Sequence, residues 1–152
     1  MSFLIDWFTN KIFLAPASAW FIAQLLKVLI DTYKCGFHLE RLGGGGGMPS
    51  SHSATMLGLI VVTGATYGGG SFEFAMALFF GIIVIYDALH IRYEGQRHGV
   101  ALNNLNEERV EAGKQPLNVR PFKEKLGHTM PEVIAGALIG VICALVVLAL
   151  PF

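Results

Sequence analysis

Two short segments of this chain carry residue types suited to a small anion. The first runs Gly43-Gly44-Gly45-Gly46-Gly47-Met48-Pro49-Ser50-Ser51-His52-Ser53. Five glycines lead into a Pro-Ser-Ser helix start, with His52 in the first turn. A helix N-terminus offers unpaired N–H groups and the positive end of the helix dipole, which suits phosphate. The same residues admit a plain structural reading, in which Ser50 or Ser51 caps the helix and the glycines are a linker. The second segment is Leu126-Gly127-His128-Thr129-Met130-Pro131-Glu132. Thr129 and Glu132 have capping-box spacing, and Pro131 fits the first helical turn. His128 and Glu132 are four apart, so they share a face if the helix reaches back. A carboxylate on one imidazole nitrogen fixes the tautomer and makes the other nitrogen a better nucleophile or base.

Charged residues surround these segments. Lys34 and Arg41 lie ahead of the glycine loop. Lys27 sits within an apolar run, where a charge costs roughly 2.5–3.5 kcal/mol on insertion scales, so it is a functional candidate unless it snorkels out. Asp87 and Arg92 close another apolar run and are spaced to pair with each other.

The elements that hold these residues follow from where charges are missing. The chain has 152 residues, 53% hydrophobic and 14% charged, against roughly 25% charged in ordinary soluble domains. Residues 133–152 contain no charge, nor do 54–72 and 74–86, and a fourth apolar stretch, 17–33, is broken only by Lys27 and Asp31. About 20 apolar residues span a bilayer. The expectation is an all-α, polytopic membrane helical bundle of about four spans forming one domain over 1–152. Residues 3–14 are too short to span and predict an interfacial or re-entrant helix before Pro16. Gly136 and Gly140 form a small-residue face, for packing within the monomer or for dimerisation. Residues 105–125 read as an exposed helix or loop.

Counting spans puts Lys34, Arg41, Arg92, Arg97, Arg109, Lys114, Arg120, Lys123 and Lys125 on one side, nine of eleven basic residues. The positive-inside rule makes that side cytoplasmic. Both anion-suited segments and both helix N-termini fall there. A net charge of +0 gives no general footprint for nucleic acid, and Cys35 and Cys143 form no disulfide framework.

The residues resemble the phosphatidic-acid phosphatase type 2 and haloperoxidase superfamily, and more closely its divergent branch of small bacterial and plant membrane proteins described as acid phosphatase or vanadium-dependent haloperoxidase related. The resemblance runs from Gln24 to about Gly140. Its most specific piece is Gly-Gly-Met-Pro-Ser-Ser-His-Ser-Ala, Gly46 to Ala54. Tyr86-Asp87-Ala88, Arg92, Leu102-Asn103, Leu126-Gly127-His128 and Glu132-Val133 also match the branch.

The superfamily's three motifs are Lys-x6-Arg-Pro, Pro-Ser-Gly-His and Ser-Arg-x5-His-x3-Asp. Lys34 and Arg41 have the first spacing, with Leu42 for proline, and Lys27 is the lysine the divergent branch favours. Pro49 to His52 matches the second, with Ser51 for glycine. His128 and Glu132 match the end of the third, while Pro121-Phe122 replaces Ser-Arg. Arg92, Arg120, Lys123 and Lys125 are candidates for the missing cation, with Arg92 preferred.

The resemblance implies His128 as nucleophile on phosphorus, Glu132 as its orienter and His52 as general acid. Arg41, Lys27, Lys34, Ser50, Ser51 and Arg92 would bind phosphate, with Asp87 and Asn103 in support. That scheme needs no metal or cofactor; a metal held by His128, His52 and Asp87 is the alternative chemistry. The expected function is an integral membrane hydrolase, in a bacterial inner membrane, cleaving a lipid phosphate monoester or diphosphate through phosphohistidine. The expected partners are the bilayer and that lipid, with a homodimer as one way to complete the packing. A non-catalytic lipid-phosphate binder or transporter, and a structural membrane subunit, are the competing readings.

Overall fold

A computed structural model describes residues 7–36 and 46–152, and among these the regular elements are all helices, with no strand. α1 spans Lys11–Cys35. α2 spans Ser51–Tyr67 and α3 spans Phe72–Tyr86. A π-helical turn, Asp87–Ile91, leads without a break into α4, Arg92–Glu111. α5 spans Met130–Leu148. α2 is central and packs against α1, α3 and α5, while α1 also packs against α5.

The bundle is closed by small residues. Ala15, Ala19 and Ala23 recur every fourth residue along α1, on one helical face, and are fully buried. On α5 the buried set is Val133, Gly136, Gly140, Cys143, Ala144 and Val147. A Cβ on Gly136 would collide with the Ser50 carbonyl, and one on Gly140 with the Ala54 carbonyl. The Gly136–Gly140 face is therefore used within the monomer, to bring α5 onto the backbone of α2. Large apolar side chains point outward instead: Phe79, Phe80, Ile83, Ile134, Leu138 and Ile142 are each more than half exposed. Small residues inside and large apolar residues outside is the arrangement of a bundle whose solvent is lipid.

Among the described residues, three helices are long and apolar enough to cross a bilayer: Lys11–Lys34, Phe72–Glu111 and Met130–Leu148. The expected fourth span, α2, has 17 residues, or about 26 Å against a hydrocarbon core of about 30 Å. The expected N-terminal helix, residues 3–14, begins at 3–6, outside the described residues; 7–9 form a short helical turn that stops before Asn10. Asn10 caps α1 by accepting from the N–H groups of Ile12 and Phe13 at 2.9 and 3.4 Å. The helix then continues through Pro16, so 11–14 belong to the first turn of α1. A proline this near the start costs one carbonyl its partner, which membrane helices tolerate. Lys11 also serves the fold. Its ammonium donates to the carbonyls of Leu148 and Leu150 at 3.1 and 2.8 Å, closing the C-terminal end of α5.

The helix begun by α3 continues for 40 residues. Its second half, α4, leaves the bundle, and a return segment, residues 112–127, runs back along it. The expected polar region at 105–125 is thus the outer part of α4 plus this strap.

Candidate active site

The two largest fully buried side chains among the described residues are a lysine and a histidine, Lys27 and His128. Both lie at the end of the bundle where α2 and α5 begin. The two helix starts are tied together by the Ser50 N–H donating to the Glu132 carbonyl at 3.0 Å. Lys27 reaches this point from α1, with its Nζ 3.5 Å from Ser51 Oγ. Lys34, seven residues on, lies exposed in the last turn of α1. Of the two lysines weighed from the sequence, Lys27 is the one brought to the Pro-Ser-Ser-His segment. Arg41 lies outside the described residues.

Ser50 and Ser51 differ in what they hold. Ser50 is the α2 N-cap: its Oγ accepts from the Ser53 N–H at 3.3 Å and from the Ser53 hydroxyl at 3.1 Å. Ser51 faces Lys27. His52 follows with its ring edge-on to His128, centroids 5.6 Å apart and planes at 67°. His128 Nδ1 lies 3.1 Å from Glu132 Oε2, and the same carboxylate oxygen accepts the Thr129 N–H at 3.0 Å. Glu132 therefore caps α5 and orients His128 at once, so the two readings of its spacing are compatible.

Two ring nitrogens are left over. Among the described residues, His128 Nε2 and His52 Nδ1 are buried and meet no hydrogen-bond partner. Buried polar atoms in folded proteins are nearly always satisfied, so two such nitrogens on neighbouring rings make this the candidate site for a ligand. Burial pushes the His128 pKa below the ordinary histidine value, the Lys27 charge acts the same way, and the Glu132 hydrogen bond opposes them. Burial thus favours the neutral imidazole, and a proton on Nδ1 facing Glu132 leaves the lone pair on Nε2.

Arg92 and Asp87 pair with each other, Nε to Oδ2 at 2.6 Å, at the surface of the π-helical turn. Both charges are close enough to act on His52. A cleft of about 370 Å³, lined by Leu89, His90, Tyr93, His128, Thr129 and Met130, opens beside the His128 ring.

Residues 8–143 match the Divergent PAP2 family. The chain belongs to that family. A membrane protein of Bacillus subtilis (strain 168), the uncharacterized YuiD, is 32% identical over 154 residues, covering 91% of this chain and 94% of the relative. No solved structure matches the chain.

In this divergent PAP2 protein, most residues singled out by motif gather at one place: Lys27, Ser50, Ser51, His52, His128 and Glu132, with Asp87 and Arg92 at the edge. Asn103 does not. It stands eleven residues beyond Arg92 on α4, roughly 16 Å along the helix. There its side chain bonds the Phe122 N–H and carbonyl and the Glu124 carboxylate, holding the strap. Pro121-Phe122, which replaces the Ser-Arg pair, lies on the same exposed strap. Three contributors escaped the sequence reading. Asp31 meets Lys125 of the strap at 3.5 Å. Gln96 accepts two strap N–H groups. The π-helical turn is the third. None has a motif; the only available signal was Asp31 standing inside an apolar run.

Proposed function

We propose that this protein is an integral membrane phosphatase acting on a lipid phosphate monoester or diphosphate through a phosphohistidine intermediate. The observation that carries this reading is the paired arrangement of His128 and His52. The first is oriented by Glu132 at Nδ1, and each ring keeps one buried nitrogen without a partner among the described residues.

The chemistry follows from these positions. The His128 Nε2 lone pair attacks phosphorus, and the P–O bond to the lipid alcohol breaks as the P–N bond forms. His52 gives a proton to the leaving oxygen. Water then attacks the phosphohistidine, with His52 taking its proton, and His128 departs as neutral imidazole. Lys27, the Ser51 hydroxyl and the α2 N-terminus supply positive potential to the phosphate oxygens; phosphoryl transfer depends chiefly on such positioning and charge stabilisation. Arg92 supplies the remaining cation by exchanging Asp87 for the phosphate. The apolar walls of the cleft, Leu89, Tyr93 and Met130, suit the chain of a lipid. The excess of basic residues on this side favours a site at the cytoplasmic leaflet.

Purified protein is expected to release inorganic phosphate from phosphatidic acid, phosphatidylglycerophosphate or a polyprenyl phosphate. His128→Ala is expected to lower turnover by at least about 10³-fold, since no other group takes the nucleophile's role. As pH falls through the His128 pKa, the nucleophile becomes protonated and rate is lost. Because burial lowers that pKa, the acid limb of kcat/KM is expected below about 6.5, the ordinary histidine value. The second reading is a lipid-phosphate binder without turnover, favoured by the Asp87–Arg92 pair that keeps Arg92 occupied. Tight lipid-phosphate binding that survives His128→Ala, with no phosphate released by the native protein, would establish it.

A further inference from the structure

We propose that Gln96 is a positioning residue for His128, acting together with the Ala88 carbonyl that the π-helical turn sets free. This inference rests on the phosphatase reading for its kinetic consequences, but its structural basis is independent of it.

His128 precedes α5 and has no helix of its own to fix its backbone. In a regular α-helix the Ala88 carbonyl would accept the Arg92 N–H. Here the Arg92 N–H reaches one residue further back, to the Asp87 carbonyl. The Ala88 carbonyl is then available, and it accepts the His128 N–H at 3.0 Å. A π-bulge is a common device at functional sites, and this one supplies the acceptor that holds the nucleophile.

Gln96 extends the same hold. Its Oε1 accepts the Leu126 N–H at 3.1 Å and the Gly127 N–H at 3.3 Å. Between these anchors, Gly127 lies against the Tyr93 backbone so closely that a Cβ would collide with it. Three consecutive N–H groups, of residues 126, 127 and 128, are therefore bound to one helical stretch from Ala88 to Gln96. Glu132 fixes the imidazole ring; Gln96 and Ala88 fix the backbone from which it projects. Without both, Nε2 can turn away from His52 while the His128–Glu132 bond stays intact.

The role assigned to Gln96 is that of a hydrogen-bond acceptor, which separates it from a space-filling role. Gln96→Glu keeps the acceptor oxygens, and Gln96→Met keeps the length without them. Both variants are to be compared with the native full chain in detergent or nanodiscs. Gln96→Met is expected to lower kcat by about 10- to 100-fold, the scale of an ångström of misplacement, with KM within about twofold. Gln96→Glu is expected to stay within about twofold of the native kcat. Amide exchange at residues 126 and 127 is expected to accelerate roughly tenfold or more in Gln96→Met alone, for two lost hydrogen bonds.

A readout that needs no turnover is carbethoxylation of His128 by diethyl pyrocarbonate, measured against the exposed His98 of the same chain. The His128 to His98 rate ratio is expected to rise in Gln96→Met and to stay native in Gln96→Glu. Native kcat in Gln96→Met, an unchanged rate ratio, or equal losses in both variants would overturn the proposal. If the native protein releases no phosphate from any lipid tested, the phosphatase reading fails, and the exchange and carbethoxylation results still decide the role of Gln96.

Discussion

The bundle of α1, α2 and α5 and the arm formed by α4 with its strap are held together by different physics. In the bundle, glycine and alanine let backbones touch, and among the described residues almost nothing polar is buried away from the site. In the arm, side-chain amides spaced along α4 grip the strap: Gln96 takes the N–H groups of Leu126 and Gly127, Asn103 takes Phe122, and Asn106 takes the Leu117 N–H at 2.7 Å. The bundle has the composition of a lipid-solvated object and the arm that of a water-solvated one. The candidate site sits at their seam, taking Lys27, Ser51 and His52 from the bundle and the backbone of His128 from the arm. A closely packed frame thus carries Lys27, Ser51 and His52, while His128 is held by the arm through backbone hydrogen bonds and the close Gly127–Tyr93 contact.

The sharpest test of this contrast is one substitution made in both regions. Gly136→Ala places a Cβ into the Ser50 carbonyl, where backbone meets backbone and no side chain can yield. Overpacking of this kind costs about 1–3 kcal/mol or more, and α5 is expected to separate from α2 with a fall in thermal stability in detergent. Gly95→Ala on α4 meets nothing within 4 Å. There the better helix propensity of alanine is expected to stabilise by about 0.5–1 kcal/mol. Opposite signs in a melting experiment support the contrast, and equal signs break it.

Lys27→Met is the next largest effect, and it separates function from folding. The ammonium is buried in the membrane-spanning part, so replacing it by an apolar chain of similar length relieves a desolvation cost, while Asp31 and Glu132 lose a nearby counter-charge. The two effects oppose each other, and stability is expected to stay within about 1 kcal/mol of native. Affinity for a lipid phosphate is expected to fall about 10- to 100-fold, the value of one charge-assisted hydrogen bond. A native KM in Lys27→Met would remove Lys27 from the anion site.

How much of this was legible beforehand follows the same division. The bundle shows in the sequence because lipid imposes long charge-free runs, and its polar exceptions, Lys27 and the two histidines, stand out against them. The direction of α1 through Pro16 did not show, because a proline near a helix start reads as a boundary when the membrane's tolerance of it is unseen. The arm was nearly invisible. Gln96, Asn103 and Asn106 are ordinary exposed-helix residues by type, and only the fold shows that they face a returning strap. The π-helical turn leaves no periodic signature over five residues. Asn103 matched the family pattern, yet it holds the strap outside the His128–His52 pair.

Asn103→Ala is expected to give the smallest effect, and it tests whether the arm acts as a unit. Asn103 makes three bonds to the strap, at 2.9, 2.7 and 2.9 Å, but all are exposed, so water replaces most of what is lost. The net cost is expected to be about 1 kcal/mol, confined to the strap. Amide exchange at Phe122 should then accelerate roughly fivefold, while exchange at Leu126 and Gly127 stays native, because Gln96 still holds that end. Turnover is expected to remain within about twofold of native, since the Ala88 and Gln96 anchors are intact. If Asn103→Ala instead lowers kcat as far as Gln96→Met, the strap transmits its outer contacts to His128. The arm must then be counted as part of the site along its whole length.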